Sequence, residues 1–346
     1  MTRTPNELTD LPDRAPGSAP VDLLTDVLAA VRLAGAVFLR AEYTSPWAYE
    51  SPPSAALTSI LRPGAKRLIL FHIIAEGSCW ISVNSGDRLE VSEGDVVVLP
   101  YGEQHLMGSA ELVPPVPIAS LLPVPPWQQF PVIRYGGGGG RTSVICGYLH
   151  CDDPIFDPVV GALPPLFSVR PPAGPKAAWV AASIQYALDA SDGHDARAGG
   201  LPVRLAELVF VEILKLYIDS ASPQLSGWLA AVHDPIAGLA MAALHADPAR
   251  KWTLDELAAH AACSRSTLND RFGRLLGRAP MQYLDDWRLQ VAAGLLRDTT
   301  LGVAGVAYRI GYESEEAFNR AFKRAMGSPP AQWRQSAAAK GLSQPA

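Results

Sequence analysis

Residues 311–334 read GYESEEAFNRAFKRAMGSPPAQWR, and the order of residue types in this stretch decides the architecture. Just before it, Leu301, Val303, Val306 and Ala307 form a helix-spaced apolar set that ends at Ile310-Gly311, so a short helix stops at a tight turn. Ser314 then caps the next helix, because a serine hydroxyl accepts from the unpaired N–H groups of a first turn. Phe318 and Phe322 stand at i, i+4 on one face of that helix. Its exposed side is left with Asn319, Arg320, Lys323 and Arg324. A short helix, a turn and a second helix with a polar, basic outer side is the helix-turn-helix pattern, whose second helix enters the major groove of DNA.

The pattern stands once more upstream. Thr253 with Glu256 three residues on makes a capping box, and Leu254, Leu257, Ala258 and Ala261 build an apolar face. Ser264 caps a second helix in which Leu268 and Phe272 point inward, leaving Arg265, Ser266, Asn269 and Arg271 outward. Between the two units, residues 281–296 (MQYLDDWRLQVAAGLL) read as a long helix holding them at a fixed separation. Residues 245–340 carry 14 Lys and Arg against 10 Asp and Glu, while the rest of the chain carries 15 against 24. The net charge of −5 therefore hides a basic C-terminal third, which suits double-stranded DNA as partner.

These residues resemble the AraC/XylS-type transcription regulators. Gly311–Arg324, then Gly327-Ser328-Pro329-Pro330 and Trp333-Arg334, follow the C-terminal signature of that family; Leu276–Leu284 and Trp287-Arg288-Leu289 follow its middle section. The resemblance implies two recognition helices reading successive major-groove turns, in a homodimer that works with RNA polymerase; a cytoplasmic location is expected from the lack of a signal-peptide core. Carried over by position, the base-facing residues are Ser266, Asn269 and Asp270 in the first helix and Glu316 and Arg320 in the second. Asp270 departs from the pattern, since a carboxylate beside DNA costs affinity unless it accepts from a cytosine amino group. Arg265, Arg271, Asn319, Lys323 and Arg324 flank these positions and would mostly grip phosphate.

The N-terminal half has a different texture. Short apolar runs at 68–74, 79–83, 96–99 and 142–149 are separated by turn residues, among them Glu76-Gly77 and Glu93-Gly94-Asp95, which predicts an antiparallel sandwich or barrel. Pro114–Pro126, with six prolines, and the five glycines at 136–140 read as loops that no sheet interior tolerates. This region resembles the cupins. Gly64, His72 and Glu76 fall on the first cupin motif with Leu70 in place of its first histidine; Gly94, Pro100, Gly102 and His105 fall on the second, with Ser109 where an Asn is usual. The resemblance implies a small-molecule effector domain, or a divalent metal held by His72, Glu76 and His105.

A second cluster, Cys146-Gly147-Tyr148-Leu149-His150-Cys151, adds thiols. The expected metal set is His72 and His105 with Cys146 or Cys151, zinc being the ion such ligands favour, and Glu76 is weakened by its place in a hairpin turn. The alternatives are an oxidant-sensing thiol or simple core residues. Four cysteines in a long chain read as free thiols rather than bridges.

The expected organisation is α+β: a leader at 1–20 without order, a cupin-like antiparallel β-barrel at 21–170, a helical linker and dimerisation segment at 171–233, and an all-α double helix-turn-helix domain at 234–340. In the linker, Val180, Ile184, Ala187 and Leu188 share a helix face, a polar loop follows at 191–200, and Leu205–Ile218 is apolar nearly all round, which predicts burial on more than one side. No apolar run is long enough to span a membrane, and the leader lacks a signal-peptide core. The function expected is a non-enzymatic transcription regulator controlled by a small effector, metal or oxidant. The alternative is a metal-dependent cupin enzyme fused to a DNA-binding domain, against which the missing histidine counts.

Overall fold

The computed structural model describes residues 20–342 apart from 31–32, 64, 66–67, 85, 124–130, 152–155, 176–177, 181, 184–185, 187–200 and 221–225. Residues 1–19 of the expected leader, Gly64, Ile184, Ala187, Leu188 and the 191–200 loop lie outside the described residues. The chain divides into two compact units. One joins the segment up to Ala30 with Ala230–Gln332, and the other joins Val31–Leu229 with Trp333–Ala346.

The second unit is a β-sandwich. Strands β1 (Ala34–Thr44), β3 (Ile69–Glu76), β6 (Val96–Leu99), β9 (Val132–Gly136), β10 (Arg141–His150) and β11 (Phe167–Val169) form a six-stranded sheet in the order β11-β6-β3-β10-β1-β9. Strands β2 (Ala48–Ser51), β4 (Ser78–Val83), β5 (Leu89–Ser92), β7 (His105–Gly108) and β8 (Val116–Pro117) form a five-stranded one in the order β5-β4-β7-β2-β8. Every second residue of a strand turns to one face, so Leu39, Ala41 and Tyr43 of β1, Cys79, Ile81 and Val83 of β4, and Val144 and Cys146 of β10 share one buried core. The expected antiparallel order holds for the central strands, whereas the edge pairs β1–β9 and β2–β8 are parallel.

The proline-rich stretch is therefore not wholly loop. Val116–Pro117 forms an edge strand, where a proline needs no ladder donor, and a 3₁₀ turn follows at Ile118–Ser120. The glycine run has a steric cause. Gly136 has φ +136°, and a Cβ there would stand 1.8 Å from the Thr44 carbonyl oxygen. Without side chains the β9–β10 connection lies flat on the turn after β1, bonded through Gly137 N–H to Thr44 O (2.9 Å) and Gly139 N–H to Ser45 O (2.8 Å).

Helix α2 (Ser54–Leu61) and helix α3 (Phe156–Gly161) connect strands, and α4 (Leu201–Ser220) lies against β1, β10 and β11. It buries Val209, Phe210, Ile213, Leu214 and Ile218, spaced for one face, and Tyr217 meets the Phe167 ring at 4.1 Å. The expected burial on more than one side is thus corrected: Leu208, on another side, is 53% exposed. The described residues between 171 and 229 fall in the same compact unit as the β-strands.

The other unit is helical: α1 (Pro20–Ala30), α6 (Ala237–Ala246), α7 (Leu254–His260), α8 (Arg265–Leu276), α9 (Pro280–Asp298), α10 (Val303–Arg309) and α11 (Glu315–Met326). Helix α5 (Gly227–His233) precedes α6, and α12 (Pro330–Leu342) follows α11. The caps act where the sequence places them. Thr253 and Glu256 complete the capping box, Ser264 Oγ accepts from Thr267 N–H (3.2 Å), and Ser314 Oγ from Ala317 N–H (3.2 Å). Leu268, Phe272, Phe318 and Phe322 are fully buried. Among the described residues no single helix is long and apolar enough to cross a membrane.

Candidate functional site

Two surfaces carry chemistry. On the helical unit, α8 and α11 are second helices of the two repeats, each rooted by an i, i+4 pair of buried residues. That rooting leaves Arg265, Ser266, Asn269 and Asp270 of α8 exposed, and Glu316, Arg320, Lys323 and Arg324 of α11 exposed, with Asn319 half-buried. Arg265 Nε lies 3.1 Å from Asp255, and Arg320 lies 4.0 Å from Glu316, both pairs largely in solvent. Such exposed pairs are weak and exchange readily for phosphate or base. Arg271 differs. It is half-buried, and its Nη1 sits 2.8 Å from Asp234, whose side chain is 9% exposed. Asp234 also accepts from the N–H groups of Ile236 (3.0 Å) and Ala237 (2.9 Å), so this arginine ties α8 to the start of α6. Arg274, absent from the expected set, is exposed one turn beyond Asp270; its i+4 spacing was the available signal.

The β unit holds a cavity of about 210 Å³. Its walls come from Leu39 of β1, Leu70 of β3, Leu57 and Leu61 of α2, and Ile118 and Leu122 around the 3₁₀ turn. Tyr148 Oη donates to Leu61 O (3.0 Å) and so fixes the end of α2 to β10. Leu70, standing where the cupin motif has a histidine, makes that position apolar wall. His72, His105 and Cys146 lie at the cavity's polar side, all buried. Cys146 and His72 are register partners on β10 and β3.

Three contacts link these side chains: Cys146 Sγ to His72 Nδ1 (3.1 Å), His72 Nε2 to His105 Nε2 (3.2 Å), and His105 Nδ1 to the Glu103 carbonyl oxygen (3.3 Å). Burial, with His105 beside it, holds His72 well below the ordinary imidazole range, and burial pushes His105 down to about 4. Both rings are therefore neutral near pH 7, and the protons have one consistent placement. The Glu103 oxygen only accepts, so His105 carries its proton on Nδ1 and accepts at Nε2. His72 then donates from Nε2 and accepts at Nδ1 from the Cys146 thiol. Burial, reinforced by Cys79, pushes that thiol up to about 12. The chain is closed, with every imidazole nitrogen engaged. Nearby, Tyr49 Oη donates to Met107 Sδ (2.9 Å).

This arrangement does not fit the expected metal. His72 meets its two partners through opposite ring nitrogens, so His105 and Cys146 do not converge on one point with it. Glu76 is exposed at the hairpin, 3.8 Å from Arg141. Cys151, half-buried, follows the end of β10 with strand parity opposite to Cys146. Among the described residues no three His, Cys, Asp or Glu side chains are grouped to hold an ion; Asp152 and Asp153 lie outside them. Ser109, in place of the cupin asparagine, is structural: it accepts from Trp47 N–H (3.0 Å), and its carbonyl accepts from Trp80 Nε1–H (2.6 Å).

Two exposed reading helices on repeated helix-turn-helix units, carried with a cupin-type sandwich, define a DNA-binding transcription regulator. Comparison with known families agrees: residues 22–219 match the cupin family model and residues 257–336 a helix-turn-helix domain model. An AraC-like transcription regulator of Streptomyces lividans is 33% identical over 279 residues, covering 79% of this chain and 89% of its own. The regulator AlkR of Acinetobacter baylyi is 25% identical over 319 residues, covering 91% of this chain and 99% of its own. The crystal structure of the AdpA DNA-binding domain with a target DNA is 35% identical, covering 32% of this chain and 98% of that one, at a TM-score of 0.30. The chain belongs to the AraC-type transcription regulators.

Proposed function

We propose that an apolar small molecule, taken into the β-unit cavity, controls DNA binding by this regulator. The observation that carries the reading is the closed hydrogen-bond chain. Because His72, His105 and Cys146 satisfy one another, the cavity offers an entering molecule apolar wall and imidazole faces but no spare imidazole donor or acceptor. A sugar or other polyol would lose most of its hydration there, with the Ser51 and Tyr49 hydroxyls as the side-chain partners the lining offers in return. Apolar cavities of about 150 Å³ take up benzene, so a space of about 210 Å³ suits a one- or two-ring or short-chain hydrocarbon skeleton. The oxidant reading has less support, because burial pushes both Cys79 and Cys146 up to about 12 and the neutral thiol is the unreactive form.

Naphthalene is a suitable probe. It should raise the unfolding temperature of the full-length chain, whereas arabinose should not. Ala119→Trp, at an exposed residue on the cavity rim, should abolish the naphthalene shift while leaving the fold intact. A shift with the sugar alone, or a naphthalene shift retained in the variant, would overturn the assignment.

A homodimer is the assembly we infer, through the uncovered side of α4. The exposed Leu208 on that helix supports it. Leu208→Lys should give monomers by sedimentation with the fold intact. Leu214 is unsuitable for that test, since it lies in the β unit's own core and Lys there would unfold it. RNA polymerase is the further partner that a regulator's role implies.

A further inference from the structure

Strand β2 turns alternate residues to opposite faces. Tyr49 and Ser51 line the cavity, whereas Glu50 between them faces away, where Gln104 Nε2 donates to its Oε1. Both lining residues are buried, Tyr49 to 2% and Ser51 to 6% exposure. Their hydrogen-bonding capacity is not used up. Tyr49 Oη gives its proton to Met107 Sδ (2.9 Å), which leaves the oxygen able to accept. Ser51 Oγ lies 3.4 Å from the Pro52 carbonyl oxygen, longer than a well-formed O–H···O bond, so its proton is loosely held. Ser51 stands in register with His105, yet neither hydroxyl takes part in the chain through Cys146, His72 and His105.

The rest of the lining narrows the ligand further. Among the described residues around the cavity none is Asp, Glu, Lys or Arg. An ionised ligand would leave water there without meeting a countercharge. One oxygen free to accept and one loosely held proton match a single ligand hydroxyl, which donates once and accepts in return. A sugar brings more hydroxyls than two side chains can satisfy. We propose that Ser51 is the polar anchor of the cavity and that its ligand is a neutral alcohol or phenol, a hydrocarbon skeleton with one hydroxyl group. This assignment rests on the reading of the cavity as the effector site. The apolar walls take the skeleton, Ser51 Oγ–H donates to the ligand oxygen, and Tyr49 Oη is the acceptor available to the ligand's proton.

The test is equilibrium binding to the full-length chain at neutral pH of three probes with one skeleton: naphthalene, 2-naphthol and 2-naphthoate. The wild type should take up the first two and bind 2-naphthol more tightly than 2-naphthoate. Ser51→Ala should weaken 2-naphthol by roughly 5-fold or more, the loss expected when a buried hydroxyl is left without its donor, and keep naphthalene within about 2-fold of wild type. If Ser51→Ala no longer takes up naphthalene, Ser51→Cys decides, since it keeps the shape and replaces the hydroxyl by a poor donor; it should show the same selective loss. An unchanged 2-naphthol affinity, or an equal loss of both probes in Ser51→Cys, overturns the anchor while leaving the effector cavity standing. Binding of 2-naphthoate as tight as that of 2-naphthol overturns the neutral class. A wild type that takes up neither naphthalene nor 2-naphthol overturns the effector-cavity reading and the anchor together.

Discussion

Acidification should loosen the β unit through its two buried histidines. An unfolded histidine takes its proton near pH 6.5, but burial holds the folded His105 down to about 4. Between those values the unfolded chain binds more protons than the folded one, so stability rises with pH and is lost as pH falls from about 6.5 towards 4. The gap of about 2.5 pH units corresponds to roughly 3 kcal/mol when complete, of which about 2 kcal/mol is lost between pH 7 and 4.5. His72 shifts the same way from burial and from its neighbour, and adds to the loss. The assay is amide exchange of residues 69–76 and 105–108 in the full-length protein at several pH values, corrected for the intrinsic rate. His245 in the helical unit, pushed down to about 3 by burial, loosens on acidification too, and peptide-level readout keeps the units apart. Replacing both imidazoles, His72→Leu with His105→Leu, should flatten the profile of the β-strand peptides. It should cost less than the two single replacements summed, because each single one orphans a buried partner. A double variant that loses protection on acidification as the wild type does would refute the neutral-pair reasoning.

Two further predictions separate roles on the DNA-reading surface. Arg320→Ala should cost on the order of 1–3 kcal/mol at one base position of the operator if its guanidinium reads a guanine edge; an equal loss across all operator variants would make it a phosphate contact. Arg271→Ala should instead lower the stability of the helical unit by about 1–3 kcal/mol, by breaking the bond to the enclosed Asp234 carboxylate. The salt dependence of its DNA binding should match the wild type, and a shallower salt slope would show that Arg271 meets phosphate after all.

The helix-turn-helix repeats were legible in the sequence because their determinants are local. Thr253 with Glu256, Ser264, Ser314 and the pair Phe318 and Phe322 act within one or two turns, so spacing alone reveals them. The cupin motifs were legible for a similar reason, since turn residues and strand alternation mark short segments. What the side chains of those motifs do was decided by tertiary structure. His72 meets His105 across 33 positions and Cys146 across 74, and only their mutual orientation turns a ligand-type list into a closed chain of neutral groups. Leu39, Leu57, Leu70 and Ile118 look like ordinary core until four separate segments leave a gap between them. Arg271 belongs to the exposed set by helix spacing, and only the nearness of Asp234 withdraws it. Helix α1 was not legible at all: residues 21–30 fall within the expected β region, whereas the structure makes them a helix packed in the helical unit, because hydrophobic attraction carries no direction and the fold alone supplies the partner.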